Sequence, residues 1–156
     1  DISQWNTANV LSMSGMFREA RAFNQNISNW NVSKVSSMSD MFFAADVFNA
    51  DISNWDVTNL TDMSRMFRGA KAFNQNLGSW NVSNVANMSE LFLGSALSWE
   101  NYDEILNGWS QLPSLINGVE LNVGTTRFSS EAQAARDTLV NNFGWIITDG
   151  GLLPPP

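Results

Sequence analysis

The stretch Asn26-Ile27-Ser28-Asn29-Trp30-Asn31-Val32-Ser33-Lys34-Val35-Ser36-Ser37-Met38-Ser39-Asp40-Met41-Phe42 decides the fold, because the chain repeats it. A shift of 25 residues superimposes Trp5, Trp30, Trp55 and Trp80; Met13, Met38, Met63 and Met88; and Phe17, Phe42, Phe67 and Phe92. Phe23, Phe48 and Phe73 keep the same step, as do Ile2, Ile27, Ile52 and Leu77. Four copies without a slip of register mark a repeat architecture. One unit is too small to bury its apolar face and gains a core by stacking on the next.

Within the quoted copy the spacing of apolar residues changes partway. Trp30 and Val32 alternate with Asn29, Asn31 and Ser33, the pattern of a short strand with one buried face. Val35, Met38, Met41, Phe42 and Ala45 then fall on one stripe of a helix, and Ser33 or Ser36 is placed to cap it. Each repeat is therefore expected to run strand, tight turn, short helix and return, with the Trp, Met and Phe columns inward. Arg18, Arg21, Arg68 and Lys71 come at the end of that helix, where cations complement unpaired carbonyls. Phe43, Asp46 and Leu93 take equivalent places in the other copies, so these charges read as solvated surface rather than a binding row.

After Phe92 the period fails. Ser98 is placed to cap a helix over 99–111, with Trp99, Tyr102, Leu106 and Trp109 on one face. Glu100, Asp103 and Glu104 sit in its first turns, where the helix dipole favours acids. Residues 119–123 alternate as a strand with Val119, Leu121 and Val123 inward. Ser130-Glu131-Ala132-Gln133 has the form of a capping box opening a helix that Gly144 ends, and 145–148 read as a last strand. The expected organisation is four repeats over 1–94, an irregular C-terminal cap over 95–151, and the start of a proline-rich linker over 152–156. A chain that opens in mid-repeat at Asp1 reads as an excised segment of a longer protein.

Composition narrows the function classes. The 156 residues, 44% apolar and 15% charged, suit one core-forming domain. Eight basic against 15 acidic residues give a net charge of −7, which repels phosphate backbones and anionic headgroups and disfavours nucleic-acid and membrane-surface partners. Without cysteine there are no disulfides or thiolate metal sites. Without histidine the commonest general base and the commonest transition-metal ligand are both missing. No nucleophile stands beside a positioned base, so no enzyme and no cofactor is expected. No apolar run approaches the roughly 20 residues that span a bilayer, so no direct membrane insertion is expected.

The run Ile27-x-x-Trp30-x-Val32-x-x-Val35 has the spacing of the leucine-rich-repeat consensus, with Trp in a Leu place and Val35 near the ladder Asn. The fuller pattern Phe-Asn-Gln-Asn-Ile-Ser-x-Trp-Asn-Val-Ser-x-Val-x-x-Met-Ser-x-Met-Phe stands at 23–42 and, with small changes, at 73–92. It resembles the BspA-like leucine-rich-repeat bacterial surface proteins, whose 25-residue repeat is also found in mycoplasma surface lipoproteins. The resemblance covers residues 1–92, and the tail 144–151 resembles the end such arrays often carry. It implies an extracellular or cell-surface location, roles in adhesion and protein binding, and neither catalytic residues nor a cofactor. Gly78 for Ser, Leu91 for Met and Ala50 for Gln depart from the pattern and read as drift. Repeats and resemblance together predict an α/β solenoid: a right-handed leucine-rich-repeat-like coil, about six parallel strands on one face and short helices on the other, closed by the irregular cap.

On that fold the outward, concave side of the strands is the candidate ligand site. Asn6, Asn31, Asp56 and Asn81 form one polar row, flanked by Gln4, Asn29, Asn54 and Ser79, with Glu120 and Asn122 extending it. Amides and carboxylates at strand spacing suit hydrogen bonding to a protein, peptide or glycan; the blander reading is that the rows are solvated or bonded to each other along the stack. Asp1, Asn26, Asp51 and Asn76 form another row. Calcium is the sharper reading of it, but turn-forming Asx bonds explain every member, and no metal is assigned.

Asn-x-Ser/Thr at Asn26, Asn31, Asn59, Asn81 and Asn87 would accept glycans in a eukaryotic secretory route, and reads here as the repeat's own Asn and Ser. One of Trp99, Tyr102 and Trp109 could lie exposed and touch a ligand. The expectation is thus a non-catalytic recognition or adhesion module of a bacterial surface or secreted protein. A structural spacer is the alternative, and an ice-binding coil ranks last for want of flat Thr rows. Ile2, Trp5 and Val10, uncovered at the N-terminal repeat end, form an edge that could pair with a second copy.

Overall fold

A computed structural model describes residues 1–155; Pro156, the last residue of the expected linker, lies outside the described residues. The four repeats lie on one another in register. Trp5 stacks on Trp30 at 6.0 Å and Trp55 on Trp80 at 6.4 Å. The Phe column runs Phe17, Phe42, Phe67, Phe92 at 5.6, 5.8 and 5.5 Å, and each of the first three also packs face to face on the next Phe of its own repeat, as Phe42 on Phe48 at 3.8 Å. Aromatic rings bury the largest areas per residue, so these columns account for much of the core. The Trp, Met and Phe positions of the second to fourth repeats are all buried.

The strand and the helix expected in each repeat are not formed: among the described residues no regular helix or strand precedes Trp99. Each repeat is instead a succession of β-turns whose corners are the buried residues. Trp30 N–H donates to Ile27 O, Val35 to Val32, Met41 to Met38, Ala45 to Phe42 and Phe48 to Ala45. A chain of three-residue turns puts apolar side chains on one side at nearly the spacing of a helix, which is why the periodicity misleads. Helix is blocked physically as well. Asp40 and Ala44 have φ of 56° and 52°, and their equivalents Gly15, Arg65, Glu90, Glu19, Gly69 and Gly94 share that left-handed conformation.

Backbone groups that would bond within a helix bond between repeats. Met38 N–H donates to Asp62 O, Asp40 to Ser64, Phe42 to Met66 and Ala44 to Arg68, at 2.8–2.9 Å. The same four bonds join the first repeat to the second and the third to the fourth. Isolated parallel bridges Ser12↔Ser37↔Asp62↔Asn87 mark the column. A further ladder runs through asparagine: Asn49 N–H donates to Asn24 Oδ1, Asn74 N–H to Asn49 Oδ1 and Ser98 N–H to Asn74 Oδ1, each at 2.9 Å.

The cations placed at helix ends have a different role, since no helix ends there. Asp40 lies between Arg18 at 3.5 Å and Arg65 at 2.8 Å, Asp46 between Arg21 and Lys71, and Glu90 pairs with Arg68. The guanidinium groups of Arg18 and Arg68 cover the Phe43 ring at 4.5 and 5.6 Å. The alternation of sign between odd and even copies is therefore a set of inter-repeat pairs.

Past the repeats the secondary structure agrees closely with expectation. α1 spans Trp99–Ser110 with Ser98 as N-cap, β1 Glu120–Asn122, α2 Gln133–Phe143 with Gly144 left-handed at its C-cap, and β2 Ile146–Thr148. β1 and β2 pair in parallel, and Met88↔Leu121 joins β1 to the fourth repeat. The capping box is not formed. Ala132 is the N-cap of α2 without a side-chain bond, and Ser129 Oγ accepts from Glu131 N–H while donating to Asp103. Asp103 therefore acts as a buried tether between α1 and the 129 loop rather than a solvated first-turn acid. Leu153 N–H bonds Phe128 O and Leu152 bridges Phe128, so the start of the expected linker packs on the cap.

The Trp column does not stop at Trp80. Trp30, Trp55 and Trp80 donate through Nε1 to Ile2 O, Ile27 O and Ile52 O, and Trp109 and Trp145 make the same bond to Leu77 O and Ile116 O. Gly78 is not drift. Helix α1 lies so close that a Cβ at Gly78 would collide with the Glu104 carbonyl, and one at Gly108 with the Gly78 carbonyl.

Candidate functional site

The polar row is exposed and held by its own backbone. Asn31 Oδ1 accepts from Ser33 N–H at 3.0 Å and from Ser33 Oγ at 2.7 Å. Asn6, Asp56 and Asn81 accept likewise from the N–H groups of Ala8, Thr58 and Ser83 at 3.1–3.2 Å. These are Asx turns, so one oxygen of each side chain is committed and the other polar atom faces solvent. The Nδ2 groups of Asn6, Asn31 and Asn81 make no hydrogen bond among the described residues. The hydroxyl and N–H of Thr58 hold the Asp56 carboxyl below the usual carboxylate range.

The flanking row is partly consumed by stacking. Asn54 Nδ2 donates to Ser28 O and Ser79 Oγ to Ser53 O, while Gln4 Nε2 reaches only Ser3 Oγ. Asn29 is exposed. Neighbouring amides do the same stapling, as Asn59 to Ser33 O and Asn84 to Thr58 O.

Glu120 and Asn122 do not extend this row. Pairing of Leu121 with Met88 sets β1 behind the column of Asn87 and Ser89, one side of the repeat away from Asn81. Glu120 is exposed, and Asn122 Oδ1 accepts from Gly124 N–H at 2.9 Å. The column they join carries its own polar chain, with Ser14 Oγ 2.7 Å from Ser37 Oγ and 3.1 Å from Ser39 Oγ. The recurring Met-Ser pair at 13–14, 38–39, 63–64 and 88–89 is the sequence signal of this column, and its helix-like spacing hides it.

Asp1, Asn26, Asp51 and Asn76 make the Asx bonds expected of them, to the N–H groups of Ser3, Ser28, Ser53 and Gly78. The N–H and hydroxyl of Ser53 lower the Asp51 pKa. Among the described residues, no three or more His, Cys, Asp or Glu side chains are grouped to hold a metal ion.

In the cap, Trp109 and Tyr102 are buried and Trp99 is 42% exposed. Trp99 lines an apolar cavity of about 750 Å³ with Glu131, Leu152 and Pro154 among its other walls. Also in the cap, Tyr102 Oη donates to Asp149 at 2.9 Å, and Arg136 Nε to the same oxygen at 2.7 Å, with the guanidinium over Phe128. Burial, then the Asp149 charge, pushes the Tyr102 phenol far above its usual value. Burial acts against the charge of Arg136, but the Asp149 hydrogen bond and charge outweigh it and raise its pKa. The group is a rigid tie between α1, α2 and the segment after β2.

Residues 1–107 match a family described as "Mycoplasma protein of unknown function, DUF285". The chain belongs to this family. No curated protein and no solved structure matches it. In this DUF285 chain the matched stretch holds the four repeats and most of α1, hence every residue of the candidate polar rows except Glu120 and Asn122. Among the described residues, no helix is long and apolar enough to cross a membrane.

Proposed function

We propose that this DUF285 chain is a non-catalytic recognition module of a bacterial surface or secreted protein, binding a protein, peptide or glycan through the column Asn6, Asn31, Asp56, Asn81. Its fold is a solenoid related to the BspA-like leucine-rich-repeat proteins, with turns in place of strand and helix. A right-handed coil is favoured because β1, α2 and β2 form a parallel crossover, which is right-handed in nearly all proteins. The observation that carries the function is the Asx bond at each member of the column, which fixes an exposed side chain without using its outward atom. Pre-set polar groups bind at a lower entropic cost than mobile ones.

Stapling of the flanking residues supports a second reading, a spacer with no ligand of its own, because Asn54 and Ser79 serve the stack. The two separate with a triple swap, Asn31→Asp, Asp56→Asn and Asn81→Asp, that keeps every Asx acceptor and inverts the outward groups, donor to acceptor at 31 and 81 and acceptor to donor at 56. On glycan and peptide arrays the recognition module loses its ligand at least tenfold with unchanged thermal stability. Equal binding by the swapped chain removes the column from the account, and an array silent for both leaves the spacer.

A further inference from the structure

The asparagine ladder is completed by a carboxamide at two of its three steps. Asn49, which takes Asn74 N–H on Oδ1, also accepts Gln75 Nε2 on both Oδ1 and its backbone carbonyl, each at 2.9 Å. Asn74, which takes Ser98 N–H, accepts Asn101 Nδ2 in the same way, at 2.9 Å on Oδ1 and 3.1 Å on the carbonyl. Donors from different elements, the third repeat and α1, thus bring an amide nitrogen to the same place. At the remaining step Asn24 takes Asn49 N–H at 2.9 Å. The next residue is Ala50, however, where the first and third repeats carry Gln25 and Gln75. A methyl group cannot donate. The Asn24 carbonyl therefore has no donor among the described residues, and its Oδ1 keeps one of two acceptor places open.

The missing side chain leaves a space. A cavity of about 400 Å³ at this step is lined by Asn24, Asn26, Ser28, Ala50 and Asp51. Asp51 brings an exposed carboxylate bonded only within its own turn, to Ser53. Unlike Asp40 and Asp46, it has no Lys or Arg partner among the described residues. The walls belong to successive repeats, and the gap between them is set by the residue at position 50 rather than by either end of the sequence.

We propose that this notch is a binding site for a guanidinium group, the side-chain group of arginine. A guanidinium nitrogen reproduces the planar pair of N–H donors that the carboxamide brings to Asn49 and Asn74. Its other N–H groups and its charge suit the Asp51 carboxylate, which a neutral amide does not match. The net charge of −7 favours a cationic ligand at long range. The proposal stands apart from what the column Asn6, Asn31, Asp56, Asn81 binds.

The test titrates the whole chain with N-acetyl-arginine amide at constant ionic strength. NMR reads the Asn49 and Ser53 N–H groups, which bond Asn24 Oδ1 and Asp51 Oδ1. Saturable shifts are expected at both. Ala50→Gln restores the residue of the first and third repeats, and is expected to weaken the probe about tenfold by supplying the missing donor, without lowering Tm. Asp51→Asn keeps the Asx acceptor and removes the charge, and is expected to weaken the probe about threefold, the scale of an exposed ion pair. Calcium chloride, which brings charge without N–H groups, is expected to move neither signal. An absence of saturable shifts, with water alone filling the notch, overturns the proposal. Undiminished binding by either variant overturns it too, as does an equal response to calcium.

Discussion

The repeats and the cap solve one packing problem by different means. In residues 1–94 neighbouring turns hold each other: backbone, asparagine and charge ladders all run from one repeat to the next, and no turn contains a regular element. In the cap, α1, β1, α2 and β2 satisfy much of their hydrogen bonding locally and then place Trp109 and Trp145 on the column the repeats began. A column of buried side chains can thus be continued by unrelated backbone, provided the side chain arrives at the same place. The cap also removes exposed edge: Trp80, in the repeat it packs on, is 1% exposed, against 54% for Trp5 in the first repeat.

The largest effect that sharpens this contrast is at the centre of the Phe column. Phe67→Ala should cost about 3–5 kcal/mol in denaturant unfolding, and Phe17→Ala, half-buried at the open end, clearly less. Equal losses would mean that stacking from both sides is not what stabilises the repeats. Next comes the junction. Gly78→Ser restores the residue of the earlier copies, yet should cost about 1–3 kcal/mol because α1 occupies the space of the new side chain. The reverse change in mid-stack, Ser53→Gly, should stay within about 1 kcal/mol, and a Tm series on both variants decides.

Asn49→Ala removes the acceptor for Asn74 N–H and should cost about 1 kcal/mol, the low end for an orphaned donor because Asn74 is half-buried. The smallest effect concerns pH. Asp56 has a folded pKa below its unfolded one, so its contribution is present above the usual carboxylate range and lost as pH falls through the lowered value. Asp56→Asn keeps the Asx acceptor and should slightly flatten the acid side of a Tm-against-pH curve. An unchanged curve would show that the Thr58 bonds do not hold that carboxylate.

Legibility divides along the same line. The register, the buried columns and the Asx turns could be read from residue identities, because a 25-step comparison is indifferent to backbone conformation. Secondary structure within the repeat could not be: Val35, Met38, Met41 and Ala45 are spaced as a helix would space them, and only the left-handed φ at Asp40 and Ala44 excludes one. Ala44 does not announce that conformation; Asp40 does so weakly, and the glycines at the equivalent positions 15, 69 and 94 are its clearer signal. In the cap the elements were legible through Ser98, the 119–123 alternation and Gly144, whereas the alignment of Trp109 and Trp145 with the column was not, since their spacing breaks the period. As for the candidate site, the exposed row was legible and its extension to Glu120 and Asn122 was not, because that depended on which column β1 joins.

Scalar couplings across hydrogen bonds, measured by NMR between backbone nitrogen and carbonyl carbon, test the account most directly. It predicts couplings from Met38 N to the Asp62 carbonyl and from Phe42 N to the Met66 carbonyl, each joining successive repeats. A coupling from Phe42 N to the Met38 carbonyl, the bond of a helix within one repeat, would contradict it.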